Sequence, residues 1–538
     1  MTTIEAHGGV AITTPSHFRP TSRQIIVLGV GLLSLGLSLS QFATPEFLSS
    51  YDTGVYLAAT IHFISGVIPY RDFTFVQPPG IVLLMTPAAA FSRIFGTHDA
   101  FELVRVFGAL VTALNAGLLA WIVRRRGPVA MVVAGVSLAL MPVAFWVSTS
   151  LTLEPYCVFF VLVGASIVFA PDDNGATTKY LVSAGLFFGV AGAIKLWAVI
   201  PFFALAICLV PRYRKRVTAF VIGAAASFAV ICLPFLILAP SNFISQVFTE
   251  QLLRKAPSYQ GASILSRLVV LTGFQPTTSA PTKLEALTAF IVLAVIVLVA
   301  FRRRPAPDST DYFFLITAVI TVLALLGTKE FFFYYGYFCA PFLCALVGIS
   351  LARLSRPIGQ RVAQLSLARS LRRLFAFMFG AIGAVFVFAM ILYVSSFYSV
   401  YAWANGVYGP WLSEVATYVP LGSCVVYAEV SYGVYANRFF TNDPKCPIVV
   451  DPYGMWMKWG YQLTSPTATF VDEWHTYFEK AQYVVLSLPD DSNVPWTKDL
   501  RTYFEDHYHR VYGKNYVYIF RRETRVHVAA IGVHRALN

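Results

Sequence analysis

Residues 101–126 read FELVRVFGALVTALNAGLLAWIVRRR, and this stretch decides how the rest of the chain is arranged. An apolar run of about twenty residues crosses a hydrocarbon core about 30 Å thick as a single helix. Cytoplasmic loops collect Lys and Arg, so the three arginines that end the run indicate the cytoplasmic side. The stretch therefore predicts a membrane span that runs inward and ends before Arg124.

The overall composition indicates the same environment. Of the 538 residues, 57% are hydrophobic and 12% are charged, whereas an ordinary soluble domain has about 25% charged residues. The net charge of +13 comes from short basic clusters between apolar runs, which is the pattern that topology selection produces. These clusters favour anionic lipid headgroups as partners, and we expect no binding of nucleic acid.

The apolar stretch at residues 81–95 is short and contains Pro87. If it crossed the membrane, the triple arginine would lie outside, and every later basic cluster would be inverted as well. We therefore predict that it lies along, or dips into, the outer leaflet. About eleven spans remain, at residues 25–42, 101–123, 129–148, 155–171, 180–194, 196–211, 217–239, 284–301, 312–328, 331–351 and 374–396.

This topology predicts three regions in a multi-pass protein of the plasma membrane. A cytoplasmic tail (1–23) precedes a transmembrane domain (24–396), and an extracytoplasmic domain (397–538) follows. In the last region short β-type runs alternate with helical stretches, which is typical of a small α/β domain. The predicted fold class is an α-helical polytopic membrane protein with this domain at its C-terminus and with juxtamembrane helices in the first external loop.

The seven cysteines fall into two groups. Five lie in apolar runs, where a small buried hydrophobe is the ordinary role. Cys424 and Cys446 lie in the C-terminal region, about twenty residues apart, and are well placed for a disulfide if that region faces an oxidising compartment.

The topology also places the notable charges near membrane level on one side, the external one. Ionisable groups at this depth are costly and are usually functional or paired. Their collection on one face therefore indicates a site, formed by Asp52, Asp72, Glu154, Lys195, Lys329 and Glu330.

Each of these residues also has a purely structural explanation. Asp52 can be the N-cap of a helix that starts at Thr53, and Glu154 can stabilise the positive end of a helix dipole. Lys195 can extend its ammonium to the membrane interface. The remaining charges can form local pairs, Arg71 with Asp72 and Lys329 with Glu330.

Several segments resemble the C-type glycosyltransferases, in the branch of protein O-mannosyltransferases and lipid A aminoarabinose transferases. Residues 51–56 (YDTGVY), 69–73 (PYRDF) and 77–80 (QPPG) are similar to the first external loop of that branch. The resemblance covers about the first 350 residues in order. Thr53 departs from this resemblance, because Glu is common at the corresponding position of that branch. Further similar segments are Leu153-Glu154-Pro155, Ala193-Ile194-Lys195 and Tyr334 to Pro341.

The resemblance implies inverting transfer of a sugar from a polyprenyl phosphate donor to an acceptor hydroxyl on the external face. Asp52 would be the general base, because one carboxylate suffices to take the acceptor proton when the leaving group is a phosphate. Lys195 would bind the donor phosphate, with Arg71 and Lys329 as further candidates. Glu154 and Asp72 would contact the acceptor, which can be a glycan, a lipid or a protein.

The sequence does not decide between alternatives for two features of this site. Glu154 has a second possible role, in which it shares a divalent cation, Mg or Mn, with Asp52. The external loop at residues 241–283 can be a lid over the donor or a linker without function. Its polar residues include Gln246, Arg254, Lys255 and Arg267.

Two other functions remain compatible with the composition. A transporter or lipid flippase would carry its charges near the bilayer midplane, often in two related halves, whereas here the charges lie at one interface and no repeat is visible. A non-catalytic assembly protein would use the external domain for binding. Tyr453, Trp456 and Trp474 could then hold a glycan or a partner protein.

Overall fold

The chain is a multi-pass α-helical membrane protein. The computed structural model describes residues 21–43, 51–169, 177–214, 216–253, 263–272, 280–364, 412–459, 466–514 and 516–523. Residues 1–20 of the predicted tail, the last predicted span (374–396) and the predicted boundary at 397 lie outside these ranges.

Ten of the predicted spans fall within the described residues, and each corresponds to a helix or to a pair of helices. Six described helices are long and apolar enough to cross a membrane, and three shorter apolar ones accompany them. The membrane helices are α1 (Ser22–Ser40), α5 (Thr97–Ile122), α6 (Pro128–Leu140), α7 (Pro142–Ser148), α8 (Leu153–Phe169), α9 (Thr178–Ile194), α10 (Val199–Tyr213), α11 (Val217–Leu238), α15 (Ala280–Arg302), α16 (Ser309–Gly327) and α17 (Tyr335–Gln364).

The span predicted at residues 129–148 is not one straight helix. Helices α6 and α7 meet at an angle of 63°, and Met141 between them has extended backbone angles, with φ −65° and ψ 129°. Pro142 explains the break, since proline lacks a backbone N–H and disfavours helical angles in the residue before it. The bend directs the Trp146 end of α7 towards the cavity described below.

Short helices form the two segments between the spans that the sequence assigns to the external side, and we call these segments the first and second external loops. The first external loop holds α2 (Tyr51–Phe63), α3 (Gly80–Leu84) and α4 (Thr86–Phe95). The second holds α12 (Pro240–Ile244), a π-helical turn (Ser245–Thr249), α13 (Glu250–Leu253) and α14 (Ile264–Leu271).

The second external loop holds the first one in place. The Asn242 side chain donates to the carbonyl of Tyr70 at 2.9 Å, and the Gln246 side-chain oxygen accepts from the Phe75 N–H at 2.8 Å. Gln246 is 1% exposed, so its polar group is buried in this contact. This part of the loop is therefore more than a linker. Arg254 and Lys255 lie outside the described residues.

A buried ion cluster ties three segments together at the opposite end of the helices. Asp311 is fully buried and accepts from Arg126 at 2.9 Å and from Arg353 at 3.1 Å. Arg126 also pairs with Asp308. A buried carboxylate needs such partners, because an unpaired charge in the interior is strongly destabilising. All of these residues belong to segments that the sequence assigns to the cytoplasmic side.

The C-terminal region contains the strands β1 (Val425–Tyr427), β2 (Tyr483–Leu486), β3 (Tyr508–Lys514) and β4 (Val517–Arg522). They form a four-stranded sheet with the strand order β1-β2-β4-β3. Strands β1 and β2 are parallel, and the other two pairs are antiparallel. The disulfide between Cys424 and Cys446 joins the start of β1 to a later loop, with a Cα–Cα distance of 5.4 Å. The helices of this region are α18 (Leu412–Tyr418), α19 (Ser431–Tyr435), α20 (Pro452–Trp459), α21 (Ala468–Lys480) and α22 (Lys498–His507).

Trp474 belongs to the core of this domain rather than to a binding surface. Its side chain is fully buried in a cluster with Phe470, Phe478 and the strand residues Val426 and Val484. The alternative in which Trp474 holds a glycan is therefore wrong, since nothing outside the domain can reach the ring.

The C-terminal domain packs directly on the first external loop. A Cβ added to Gly54 would lie 2.5 Å from the backbone of Ser431, so α2 and α19 approach as closely as a glycine allows. Nearby, the Thr97 hydroxyl donates to the carbonyl of Val434 at 2.5 Å, and the His98 N–H donates to the Asn437 side chain at 2.9 Å. The site described next lies at this junction.

Candidate active site at one end of the helices

A cavity of about 260 Å³ opens where the external loops, the membrane helices and the C-terminal domain meet. It combines ionisable groups with many aromatic rings, so it offers both polar and apolar contacts. Its lining residues are Tyr51, Asp52, Val55, Tyr56, Val76, Gln77, Trp146, Lys195, Phe332, Tyr334, Tyr335, Asp451, Tyr453 and Asn493.

Asp52 lies in the first turn of α2, where its carboxylate is half-buried and faces the cavity. The structure corrects the expected cap position, because the helix includes Tyr51 and Asp52 instead of starting at Thr53. A carboxylate in a first turn is still stabilised by the helix dipole. Helix α2 thus presents Asp52 at the mouth of the cavity.

Thr53 is a structural residue. Its hydroxyl accepts from the backbone N–H of Leu151 at 2.9 Å, and the residue is 1% exposed. A larger, charged Glu at this position would have to be buried and would lose this hydrogen bond. The contact fixes α2 to the loop that precedes α8.

Lys195 reaches the cavity from a break between two helices. Helix α9 ends at Ile194, and Lys195 has an extended backbone before the 3₁₀ turn at Leu196–Ala198. Its ammonium lies 4.2 Å from the centre of the Trp197 ring and 4.5 Å from that of Tyr335. These cation–π contacts help to hold a charge that is only 7% exposed.

The Lys195 ammonium also forms an ion pair with Glu154. Glu154 is fully buried and does not line the cavity. The expected contact of Glu154 with the acceptor is thus replaced by a contact with Lys195. Its evident effect is to hold the ammonium in place and to keep it charged, as a buried cation requires a close anion.

The predicted metal ligands Asp52 and Glu154 do not line one cavity, because Glu154 lies outside the lining and pairs with Lys195. A divalent cation against the Glu154 carboxylate would lie beside the Lys195 ammonium and be repelled by it. Among the residues that the structure describes, no group of three or more His, Cys, Asp or Glu side chains is arranged to hold a metal ion.

Asp451 is a cavity residue that the sequence analysis missed. It comes from the C-terminal domain, and its Oδ1 accepts from the Tyr51 hydroxyl at 2.9 Å and from the Gly454 N–H at 2.8 Å. The Tyr51 hydroxyl in turn accepts from the N–H of Tyr453 at 2.8 Å. Burial first, and the Asp451 charge second, raise the pKa of Tyr51. A sequence signal existed, because an acid directly follows the apolar run Ile448–Val450.

The other predicted phosphate ligands lie elsewhere. Arg71 and Asp72 are exposed and pair with each other at 2.7 Å, and this hydrogen bond lowers the pKa of Asp72. Both line a second pocket that is described below. Lys329 is exposed and is absent from the lining of the cavity. Of the predicted site residues, the structure therefore brings Asp52 and Lys195 into the same cavity.

Glu429 lies just behind the junction between α2 and the C-terminal domain. It is buried, and its Oε1 accepts from the Ser431 hydroxyl at 2.8 Å. Burial, with a smaller contribution from Asp491, raises the pKa of this carboxyl to about 7. The group therefore titrates near neutral pH in the folded protein.

We expect the protein to become less stable as the pH rises towards 7. The pKa of Glu429 is higher in the folded state than in the unfolded state. At pH values between these two pKa values, the folded state therefore binds a proton that the unfolded state has lost. The free energy of unfolding then falls by at most about 3 kcal/mol across this window and is level above it. Glu429→Gln should unfold at a higher temperature than wild type at pH 8 and show a weaker dependence on pH. The measurement is thermal unfolding of the purified chain, with Glu505→Gln on the exposed face of α22 as control; equal pH slopes in all three proteins would contradict the assignment.

Comparisons with known proteins agree with this architecture. The model of glycosyltransferase family 87 matches residues 75–328. No protein of curated function matches the sequence. ArnT from Cupriavidus metallidurans, solved bound to undecaprenyl phosphate, is similar over 93% of this chain and 98% of its own, with a TM-score of 0.59 and 15% identity.

Two further solved structures share the fold. The apo form of the same ArnT covers 92% of this chain and 97% of its own, with a TM-score of 0.58 and 16% identity. An Archaeoglobus fulgidus oligosaccharyltransferase, tethered to an acceptor peptide with an NVT sequon, covers 93% of this chain and 74% of its own, with a TM-score of 0.55 and 12% identity. These findings confirm the resemblance to C-type glycosyltransferases, since the family model matches part of the chain and the solved structures share its fold.

Proposed function

We propose that this chain transfers a glycosyl group from a polyprenyl phosphate to an acceptor hydroxyl at the outer face of the membrane, with inversion at the anomeric carbon. The observation that carries the proposal is that Asp52 and Lys195, which are far apart in sequence, line one cavity at the ends of the membrane helices. One supplies a carboxylate and the other a fixed cation, which are the two groups that this reaction needs.

The reaction is a single displacement. The acceptor oxygen attacks the anomeric carbon and forms the new glycosidic bond, while the bond from that carbon to the phosphate oxygen breaks. Asp52 takes the proton of the acceptor hydroxyl, and the polyprenyl phosphate leaves with the bonding electrons. A general base positioned in this way contributes about a hundred- to ten-thousandfold to the rate.

Lys195 is the group that stabilises the leaving phosphate. Its ammonium is fixed by Glu154 and by the rings of Trp197 and Tyr335 before any substrate binds. Such preorganised charge stabilises the anion that develops at the phosphate without further rearrangement. The paired and exposed Arg71 and the exposed Lys329 lack this preorganisation.

The comparisons support a lipid-linked donor. The ArnT chain with the same fold is described as bound to undecaprenyl phosphate, and the aromatic walls of the cavity provide apolar surface for the first part of a prenyl chain. In this topology the cavity and the C-terminal domain lie outside the cytoplasm, where a polyprenyl phosphate sugar in the outer leaflet can reach them.

The direct test uses the full chain in lipid nanodiscs with polyprenyl phosphates that carry radiolabelled mannose or arabinose. We expect release of polyprenyl phosphate together with transfer of the label from at least one donor. The new bond should have the opposite anomeric configuration to the donor. A product that retains the donor configuration would contradict the single displacement by Asp52.

A further inference from the structure

A second, smaller pocket of about 180 Å³ lies next to the cavity that holds Asp52 and Lys195. Asp451 lines this pocket and also the cavity that holds Asp52 and Lys195. The two spaces are therefore neighbours that share the Asp451 side chain as part of their walls. We refer to the second space as the outer pocket.

We propose that the outer pocket is the acceptor subsite and that it binds a saccharide. The inference rests on the proposed function, since it assumes that the inner cavity holds the donor. An acceptor in the outer pocket contacts Asp451, and one of its hydroxyls extends past Asp451 towards Asp52.

The chemistry of the outer pocket differs from that of the inner cavity. The inner cavity has one fixed cation among many aromatic rings, which suits a phosphate and a lipid chain. The outer pocket combines carboxylates, amides, cations and a phenol, so both hydrogen-bond donors and hydrogen-bond acceptors line it. Its main polar lining residues are Asp72, Asn242, Gln246, Lys458, Glu473 and Tyr477.

The polar lining comes from segments that are held firmly. Gln246 and Asn242 are fixed by hydrogen bonds to the backbone of the first external loop, and the Tyr477 hydroxyl donates to Glu473 at 2.6 Å. A ligand with many hydroxyls matches such a surface, because each hydroxyl both donates and accepts. The pocket is thus shaped before the acceptor binds, which lowers the entropic cost of binding.

The position of Asp451 is fixed by the backbone of α20. A Cβ added at Gly454 would lie 2.2 Å from Asp451 Oδ2, so the glycine leaves space for this carboxylate. Asp451 is 5% exposed, and it lines both spaces. A carboxylate there can accept from an acceptor hydroxyl next to the one that attacks, and so orient the acceptor over Asp52.

A saccharide fits the outer pocket better than a peptide does. Extended peptides commonly bind by adding a strand to the edge of a sheet, and the lining of the outer pocket contains no residue from the four described strands. Peptide recognition would also use apolar pockets for side chains, whereas polar residues from both domains make up most of the lining here.

The test measures transfer to defined acceptors. The full chain in nanodiscs receives the active donor together with octyl glycosides of mannose, arabinose, glucose and galactose, or with a peptide that contains Ser and Thr. Slow hydrolysis of the donor by water, without acceptor, is measured in parallel. The variants Lys458→Met and Glu473→Gln change the outer pocket, and Lys480→Met and Glu479→Gln change exposed positions near the end of α21.

We expect at least one octyl glycoside to accept the sugar. In the two pocket variants the KM for that glycoside should rise about tenfold or more, while the KM for the donor and the rate of hydrolysis stay unchanged. The two control variants should behave as wild type. Unchanged hydrolysis also shows that the variants are folded.

Three results would overturn the inference. An unchanged glycoside KM in the pocket variants would remove the subsite, and transfer to the peptide alone would remove the saccharide. Donor hydrolysis without transfer to any glycoside would exclude this acceptor class as well. Absence of any donor turnover, including hydrolysis, would instead refute the proposed function itself and the inference with it.

Discussion

Asp52→Asn should lower the rate of sugar transfer by about a hundred- to ten-thousandfold. The amide has nearly the same shape as the carboxylate but cannot take the proton of the acceptor hydroxyl. Because Asp52 is half-buried at the start of α2 and the substitution is isosteric, we expect the fold to be retained. The measurement is kcat for transfer of labelled sugar, combined with direct binding of undecaprenyl phosphate, which should be unchanged.

Asp99 provides the matched control for this substitution. It is an exposed acid in the first turn of another helix, α5, and it does not line either pocket. Asp99→Asn should transfer sugar at the wild-type rate. Wild-type turnover in Asp52→Asn would remove the assignment of the base, whereas loss of activity in both variants would indicate a general electrostatic effect.

Lys195→Met should have two separable consequences. It removes the cation that binds the donor phosphate, so the KM for the donor should rise by about tenfold or more. It also leaves Glu154, which is fully buried, without its partner, which costs about 3–5 kcal/mol of stability. The first effect is read from donor kinetics and the second from thermal unfolding of the purified protein.

The double variant Lys195→Met with Glu154→Gln distinguishes these effects. It no longer buries an unpaired charge, so most of the lost stability should return, whereas the affinity for the donor should not. Recovery of donor binding in the double variant would show that Lys195 has only a structural role. Lys329→Met changes an exposed lysine outside the cavity and should alter neither property.

The sequence predicts the membrane helices well because their signals are local. Each described span is marked by its own apolar run, and the basic clusters orient the spans. The bend at Met141 also has a local cause in Pro142, although the span around it is otherwise continuous. Asp52 and Lys195 could be selected because charges at membrane depth are rare and costly.

The rest of the site depends on contacts between distant residues. Tyr51 and Asp451 are separated by 400 positions, and they meet where α2 packs on the C-terminal domain, next to the close contact of Gly54 with Ser431. No local pattern encodes this packing. In the same way, the charge of Glu154 is evident from the sequence, but its ion pair with Lys195 depends on how α8 and α9 pack.

Thr53 and Asp451 show how the structure differs from the resemblance near Asp52. The resemblance leads one to expect a second acid beside Asp52, and Thr53 lacks it. The hydroxyl of Thr53 instead anchors the loop before α8, while Asp451 brings a carboxylate into the cavity from another part of the chain.

The contact between Tyr51 and Asp451 also has a consequence for biogenesis. The ribosome synthesises Tyr51 early and Asp451 only after every described membrane helix has been made. Under the proposed function, a nascent chain that is already inserted therefore lacks part of its active-site cavity, and it cannot transfer sugar until the C-terminal domain has been translated and has folded against the first external loop.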